Sequence, residues 1–289
     1  MEGFDIRSEA FREILAPDSR LTKLAGDLQF TEGPVWVAEG DYLLFSDIPA
    51  NRIYRWSKAD GLSVWREPTG NSNGNTLDRQ GRLITCEHSA RRLSRTEQDG
   101  AVIALASQFG WRRLNSPNDV VVKSDGTIWF TDPPYGIKPE MQEQPRQYVF
   151  RLDPNGTLTA LADDFDKPNG LCFSPDESLL YIADSSRERH HVRVFRVTPT
   201  NTLADGRLFA TIEPGVPDGM RMDTAGRLYS TAGDGVQVFA PSGELLGIIQ
   251  VPQAPANCTF GDADKRTLYI TAKTSLYSIR LAAQGAQQP

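Results

Sequence analysis

Six times along the chain one short pattern returns, and its period limits the folds open to it. A small polar or acidic residue, mostly followed by glycine, leads into a short apolar run, a turn rich in Asp and Gly, and a second apolar run. The copies are TEGPVWVAEGDYLLFSDI from 31, SNGNTLDRQGRLITCEH from 72, PNDVVVKSDGTIWFTDP from 117, PNGLCFSPDESLLYIADS from 168, PDGMRMDTAGRLYSTAG from 217 and PANCTFGDADKRTLYITAK from 255. Their lead residues Glu32, Asn73, Asn118, Asn169, Asp218 and Asn257 are spaced 41, 45, 51, 49 and 39 apart. The apolar runs are rich in β-branched and aromatic residues, and SDG, DRQG and DTAG are hairpin connections. Between copies lie further strand pairs such as NRIYRWS, QYVFRLDPNG and GVQVFAPSG. About four strands per repeat, six times over, predict an all-β six-bladed propeller, one domain over residues 1–289 with four-stranded blades around a central channel. A β-sandwich has no reason to repeat six times. LTKLAGDLQF precedes the first copy and LYSIRLA ends the last one a strand short, so an N-terminal strand is expected to close the last blade. Residues 1–20 read as an extension and 283–289 as a flexible tail.

In a propeller the first strand of each blade lines the channel, which brings the six lead residues to one mouth. The second strand runs back and ends there too, carrying Asp47, Glu87 with His88, Asp132 and Asp184. One polar residue before a strand serves a turn; six converging on an axis point to a shared pocket. Glu32 and Asp218 bring carboxylates, Asn118 and Asn169 amide oxygens. This all-oxygen set suits one hard divalent cation, calcium first, with magnesium or manganese as alternatives. Zinc fits poorly, since His88 alone of the three histidines falls near the site; His190 and His191 are expected in a solvent-exposed loop.

The net charge of −6, without a basic run, argues against nucleic acid. The N-terminal text lacks an apolar signal core and no uncharged apolar stretch is long enough to span a bilayer, so cytoplasmic residence without membrane contact is expected. Cys86, Cys172 and Cys258 lie in strand text without a CxxC pair and are expected to be reduced, structural thiols. No obligatory protein partner is indicated.

TEGPVW, NSPNDVVV, FTDPPYG, PNGLCFSPDESLLYIAD and PDGMRMD together resemble, nearly residue for residue, the motifs of the gluconolactonase/regucalcin (senescence marker protein) family across about residues 20–280. The resemblance implies one divalent metal at the channel centre and hydrolysis of a sugar lactone, D-glucono-1,5-lactone foremost. It carries the metal ligands onto Glu32, Asn169 and Asp218, and places Asn118 beside the metal or on the substrate. DRQGRLITCEH is similar to the bacterial gluconolactonase branch and sets His88 near the mouth. SNGNTLD departs from the pattern, with Asn75 where an apolar residue is expected, which weakens a role for Asn73. Asp218 and His88 are the candidate catalytic groups, and Arg113, Asp132 and Tyr135 join Asn118 as candidate substrate contacts. Alternatives are another aldonolactone or a phosphotriester on the same metal site, or a calcium-binding propeller without catalysis.

Overall fold

A computed structural model describes residues 3–286. The chain is a six-bladed propeller of four-stranded antiparallel blades. The innermost strands are Thr31–Val37, Ser72–Leu77, Val120–Val122, Pro168–Phe173, Met220–Met222 and Asn257–Gly261, one per sequence repeat, so blades one to six follow chain order. Each inner strand packs beside the next, and the sixth meets the first, which closes the ring.

The core is not one mass but six layers, one between each pair of neighbouring blades. Both faces of every blade are covered, which is why the strands read as continuous apolar runs rather than apolar-polar alternation. The run Val120, Val121, Val122 shows the logic: Val120 and Val122 enter the layer against blade two, while Val121 enters the layer against blade four. Period-two geometry sends alternate side chains to opposite faces, and here both faces are interior.

The expected closure is present. Thr22–Ala25 pairs antiparallel with Ser275–Arg280 as the outermost strand of blade six, so an N-terminal strand completes a blade whose other three strands are C-terminal. The preceding residues also work structurally. Phe4–Ile6 adds a fifth strand to blade five, pairing with Leu245–Gln250. A one-turn helix, Glu9–Arg12, is capped by the Ser8 hydroxyl accepting from Phe11 N, and it drives Phe11 into the layer between blades five and six. The tail expected to be loose from 283 is fastened as far as 286: Ala283 is buried, Gly285 N donates to Lys265 O and Ala286 N to Met222 O. Small residues let it lie in contact with blades five and six. Residues 287–289 of that tail lie outside the described residues. All three cysteines are buried and unpaired, and no helix is long and apolar enough to cross a membrane.

Candidate active site

The lead residues reach the channel mouth through a shared backbone device. In blades one, two and four the inner strand carries one residue more than its partner, between Glu32 and Val35, Ser72 and Asn75, and Pro168 and Leu171. Such bulges re-aim a side chain and end regular pairing. In blades three and five the ladder starts only at Val120 and Met220, two residues past Asn118 and Asp218. The glycine after each lead has a packing reason. Gly74 N donates to Asn118 O at 2.8 Å, and a Cβ on Gly74 would stand 2.5 Å from that oxygen. Gly170 N makes the same bond to Asp218 O at 3.1 Å, and a Cβ there would collide with it. Neighbouring blades meet backbone to backbone around the channel, and only glycine permits that approach.

Glu32, Asn118, Asn169 and Asp218 are brought together at this mouth, the first three 3–5% exposed. The Asp218 carboxyl lies beside the Asn169 amide and the Glu32 carboxyl. Burial, then the Asp218 and Asp119 charges, hold Glu32 well above the usual carboxylate range; burial, then Asp119, raise Asp218 likewise. Two carboxylates in mutual repulsion beside amide oxygens form a donor set that a hard dication would neutralise, so the residues present fit the cation. Among the described residues no three His, Cys, Asp or Glu side chains gather as a metal cluster, so the further ligands would be the Asn118 and Asn169 oxygens. The Asn118 side chain makes no hydrogen bond among the described residues, which leaves its amide open to the mouth.

Beneath these groups lies a layer that sequence reasoning passed over. Asn257, the lead of blade six and the one on a regular ladder, donates from Nδ2 to Glu32 Oε2 at 3.0 Å and, more weakly, to Asp119 Oδ2 at 3.4 Å. Asp119 accepts from Val120 N at 2.9 Å and faces the guanidinium of Arg221, which is 2% exposed and lies in the inner strand of blade five. Burial raises the Asp119 pKa and Arg221 opposes the rise. The signal for Asp119 was in the text: it stands where four of the other five copies have glycine.

Several expected contacts have other duties. Both oxygens of Asp132 are occupied, accepting from Asn115 N and Ser116 N at 2.8 Å each; burial pushes its pKa up to about 7 against those two bonds. Asp47 accepts in the same way from Gln29 N and Phe30 N, and Asp184 from Asp166 N and Lys167 N. These carboxylates therefore clamp the loop entering each blade, and Asp132 is not free for substrate. Glu87 turns to Arg92 and Ser94. Arg113 is exposed on the hairpin of Gln108–Phe109 with Arg112–Arg113, where its guanidinium donates to Ala90 O at 3.1 Å rather than reaching into the channel. Tyr135 does line the mouth, its hydroxyl bonded to Ser185 and Asn169 and its ring under Lys167 Nζ at 5.5 Å.

His88 is buried, and burial lowers its pKa to about 4. Its Nε2 lies 3.1 Å from Asn73 Nδ2. A neutral ring whose lone pair is already bonded is a poor base at neutral pH. Asn75 is not a defect in its repeat: its Nδ2 donates to Gly33 O, Ser46 Oγ and Asn73 O, and its Oδ1 accepts from Thr85 Oγ1. It ties blade two to blade one and fixes the backbone of Asn73. His190 and His191 are half-buried rather than open to solvent, because His190 bonds Arg187 O and Glu213 on blade four.

Residues 30–274 match the family described as SMP-30/Gluconolactonase/LRE-like region. A gluconolactonase of Zymomonas mobilis is 32% identical over 98% of this chain and 86% of its own length. A 6-deoxy-6-sulfogluconolactonase of Pseudomonas putida is 30% identical over 83% of this chain and 82% of its own. The solved structure of a gluconolactonase from Xanthomonas campestris superimposes with a TM-score of 0.91 at 38% identity, covering 97% of this chain and 95% of that one.

Proposed function

From the premise that this chain belongs to the SMP-30/gluconolactonase/LRE-like family, we propose that it hydrolyses a sugar lactone, D-glucono-1,5-lactone in the first instance, to the open aldonate in a metal-dependent reaction. The observation that carries this reading is the meeting of two mutually repelling buried carboxylates with two amide oxygens at one channel mouth. A propeller serving only as a binding platform has no use for that electrostatic cost.

Glu32, Asn118, Asn169 and Asp218 would hold a single divalent cation, calcium by preference. When bound it supplies Lewis-acid polarisation of the lactone carbonyl, a contribution of several kcal/mol to the transition state. Asp218 orients the attacking water and takes its proton as the water oxygen bonds the carbonyl carbon, then returns that proton to the ring oxygen as the ring C–O bond breaks and the hydroxy acid is released. Asn118 donates to the carbonyl oxygen as negative charge gathers there. Tyr135 lines the sugar side, its hydroxyl held by Ser185 and Asn169. Asn257 and Asp119 fix Glu32 from below.

The test strips the protein with chelator and follows acid release from D-glucono-1,5-lactone above the spontaneous rate, before and after adding calcium, magnesium, manganese or zinc. Turnover that disappears on stripping, returns with a hard dication and is lost in Asp218→Ala supports the reading. A folded protein giving no rate above background with any of the four metals overturns glucono-lactone as substrate.

A further inference from the structure

Asn73 ends in an unanswered acceptor. It is 4% exposed, its Nδ2 is committed to His88 Nε2, and its Oδ1 is buried without a partner among the described residues. A buried oxygen in that state calls for a donor. Its surroundings are rigid. Asn73 O accepts from Ser46 Oγ at 2.7 Å and from Asn75 Nδ2 at 3.0 Å, so the backbone cannot turn the amide away. His88 cannot swing either, because Gly136 lies against it so closely that a Cβ there would stand 2.5 Å from His88 Cβ, and Gly136 N is pinned to Ser116 Oγ at 2.9 Å. The bulge at Asn73 and Gly74 brings the backbone next to Asn73 against Asn118, whose carbonyl receives Gly74 N at the channel mouth.

We propose that Asn73 is a specificity-determining residue whose Oδ1 accepts a hydrogen bond from a hydroxyl group of a polyhydroxylated lactone, and that His88 is a positioning residue that orients the Asn73 amide through Nε2. The assignment rests on the lactonase reading above and deepens it. A neutral imidazole accepting from the amide nitrogen fixes which end of Asn73 meets the substrate. The pocket thereby selects a hydroxyl donor at that position. A lactone lacking that hydroxyl leaves the buried oxygen unpaired in the complex, and polar pockets reject such analogues more strongly than apolar pockets reject an extra group.

The experiment measures kcat and KM for the metal-loaded wild type, Asn73→Ala, His88→Phe and His88→Gln with D-glucono-1,5-lactone and its monodeoxy analogues, with Asn73→Ser as the substitute should the alanine variant not fold. Loss of one neutral hydrogen bond lowers kcat/KM of Asn73→Ala on glucono-lactone by about tenfold. One monodeoxy analogue loses the same factor with wild type and is opened equally well by both proteins. His88→Phe behaves like Asn73→Ala, whereas His88→Gln, whose amide oxygen accepts the same bond, recovers most of the rate. A penalty in Asn73→Ala below about twofold, too small for one hydrogen bond, or one spread evenly over every analogue, overturns the assignment alone. A wild type that opens none of these lactones overturns the lactonase reading and the assignment with it.

Discussion

Replacing His88 by glutamine distinguishes a buried neutral imidazole from a titrating base. In the folded protein burial holds the ring at about 4, against 6.5 for the free side chain. The folded value lies below the unfolded one, so the stabilising contribution is complete above pH 6.5 and is lost as the pH falls towards 4, where the unfolded chain takes up a proton that the folded chain refuses. Linkage puts the loss at about 2 kcal/mol by pH 5 and about 3 kcal/mol by pH 4, relative to neutral solution. Carboxylates with raised pKa act in the opposite direction over the same range, so the quantity to follow is the difference between wild type and His88→Gln. Denaturant unfolding at a series of pH values from 7 to 4, in chelator, measures it. The two proteins should converge in stability as the solution is acidified, the variant gaining on the wild type by those amounts. A difference independent of pH would refute the reasoning, since it would mean that His88 titrates alike in both states and is free to act as a base.

Other expectations follow from the same geometry. In chelator, Asp218→Asn should be more stable than wild type at neutral and alkaline pH, because the raised carboxyl pKa values mean stability lost as pH rises; calorimetric titration should show that calcium stabilises the wild type and barely binds the variant. Gly170→Ala should cost about 1–3 kcal/mol by forcing blade four off the Asp218 carbonyl, read as a lower unfolding midpoint together with weaker cation binding. Arg221→Met removes the positive charge that opposes the rise of the buried Asp119 pKa and should destabilise the protein, and adding Asp119→Asn should restore part of the loss in a double-mutant cycle; additive losses would deny the coupling.

The blade architecture was legible because six copies at a near-constant interval state it without any tertiary information, and the strand missing from blade six could be counted. Glu32, Asn118, Asn169 and Asp218 were legible for the same reason: a residue type repeated at one register of an inner strand must return to one mouth. Asp132 misled because it is repeated in the same way. Asp47, Asp132 and Asp184 recur at strand ends near the mouth, and a linear pattern cannot tell a carboxylate aimed into the pocket from one turned back on the N–H groups of its own loop. Arg113 misled for the opposite reason, since nearness in sequence to Asn118 says nothing about a side chain on an inserted hairpin.

The sequence by itself determined the number of blades, the closing strand and the residue types that lead each inner strand to the mouth, because each depends on periodicity and residue type. The tertiary structure decided which polar groups remain unpaired. Whether Asn73 ends in a free oxygen, whether His88 keeps its lone pair, and whether Asp119 meets Arg221 depend on partners 15 to 102 residues away, which only the closing of the ring brings within hydrogen-bond or Coulomb range.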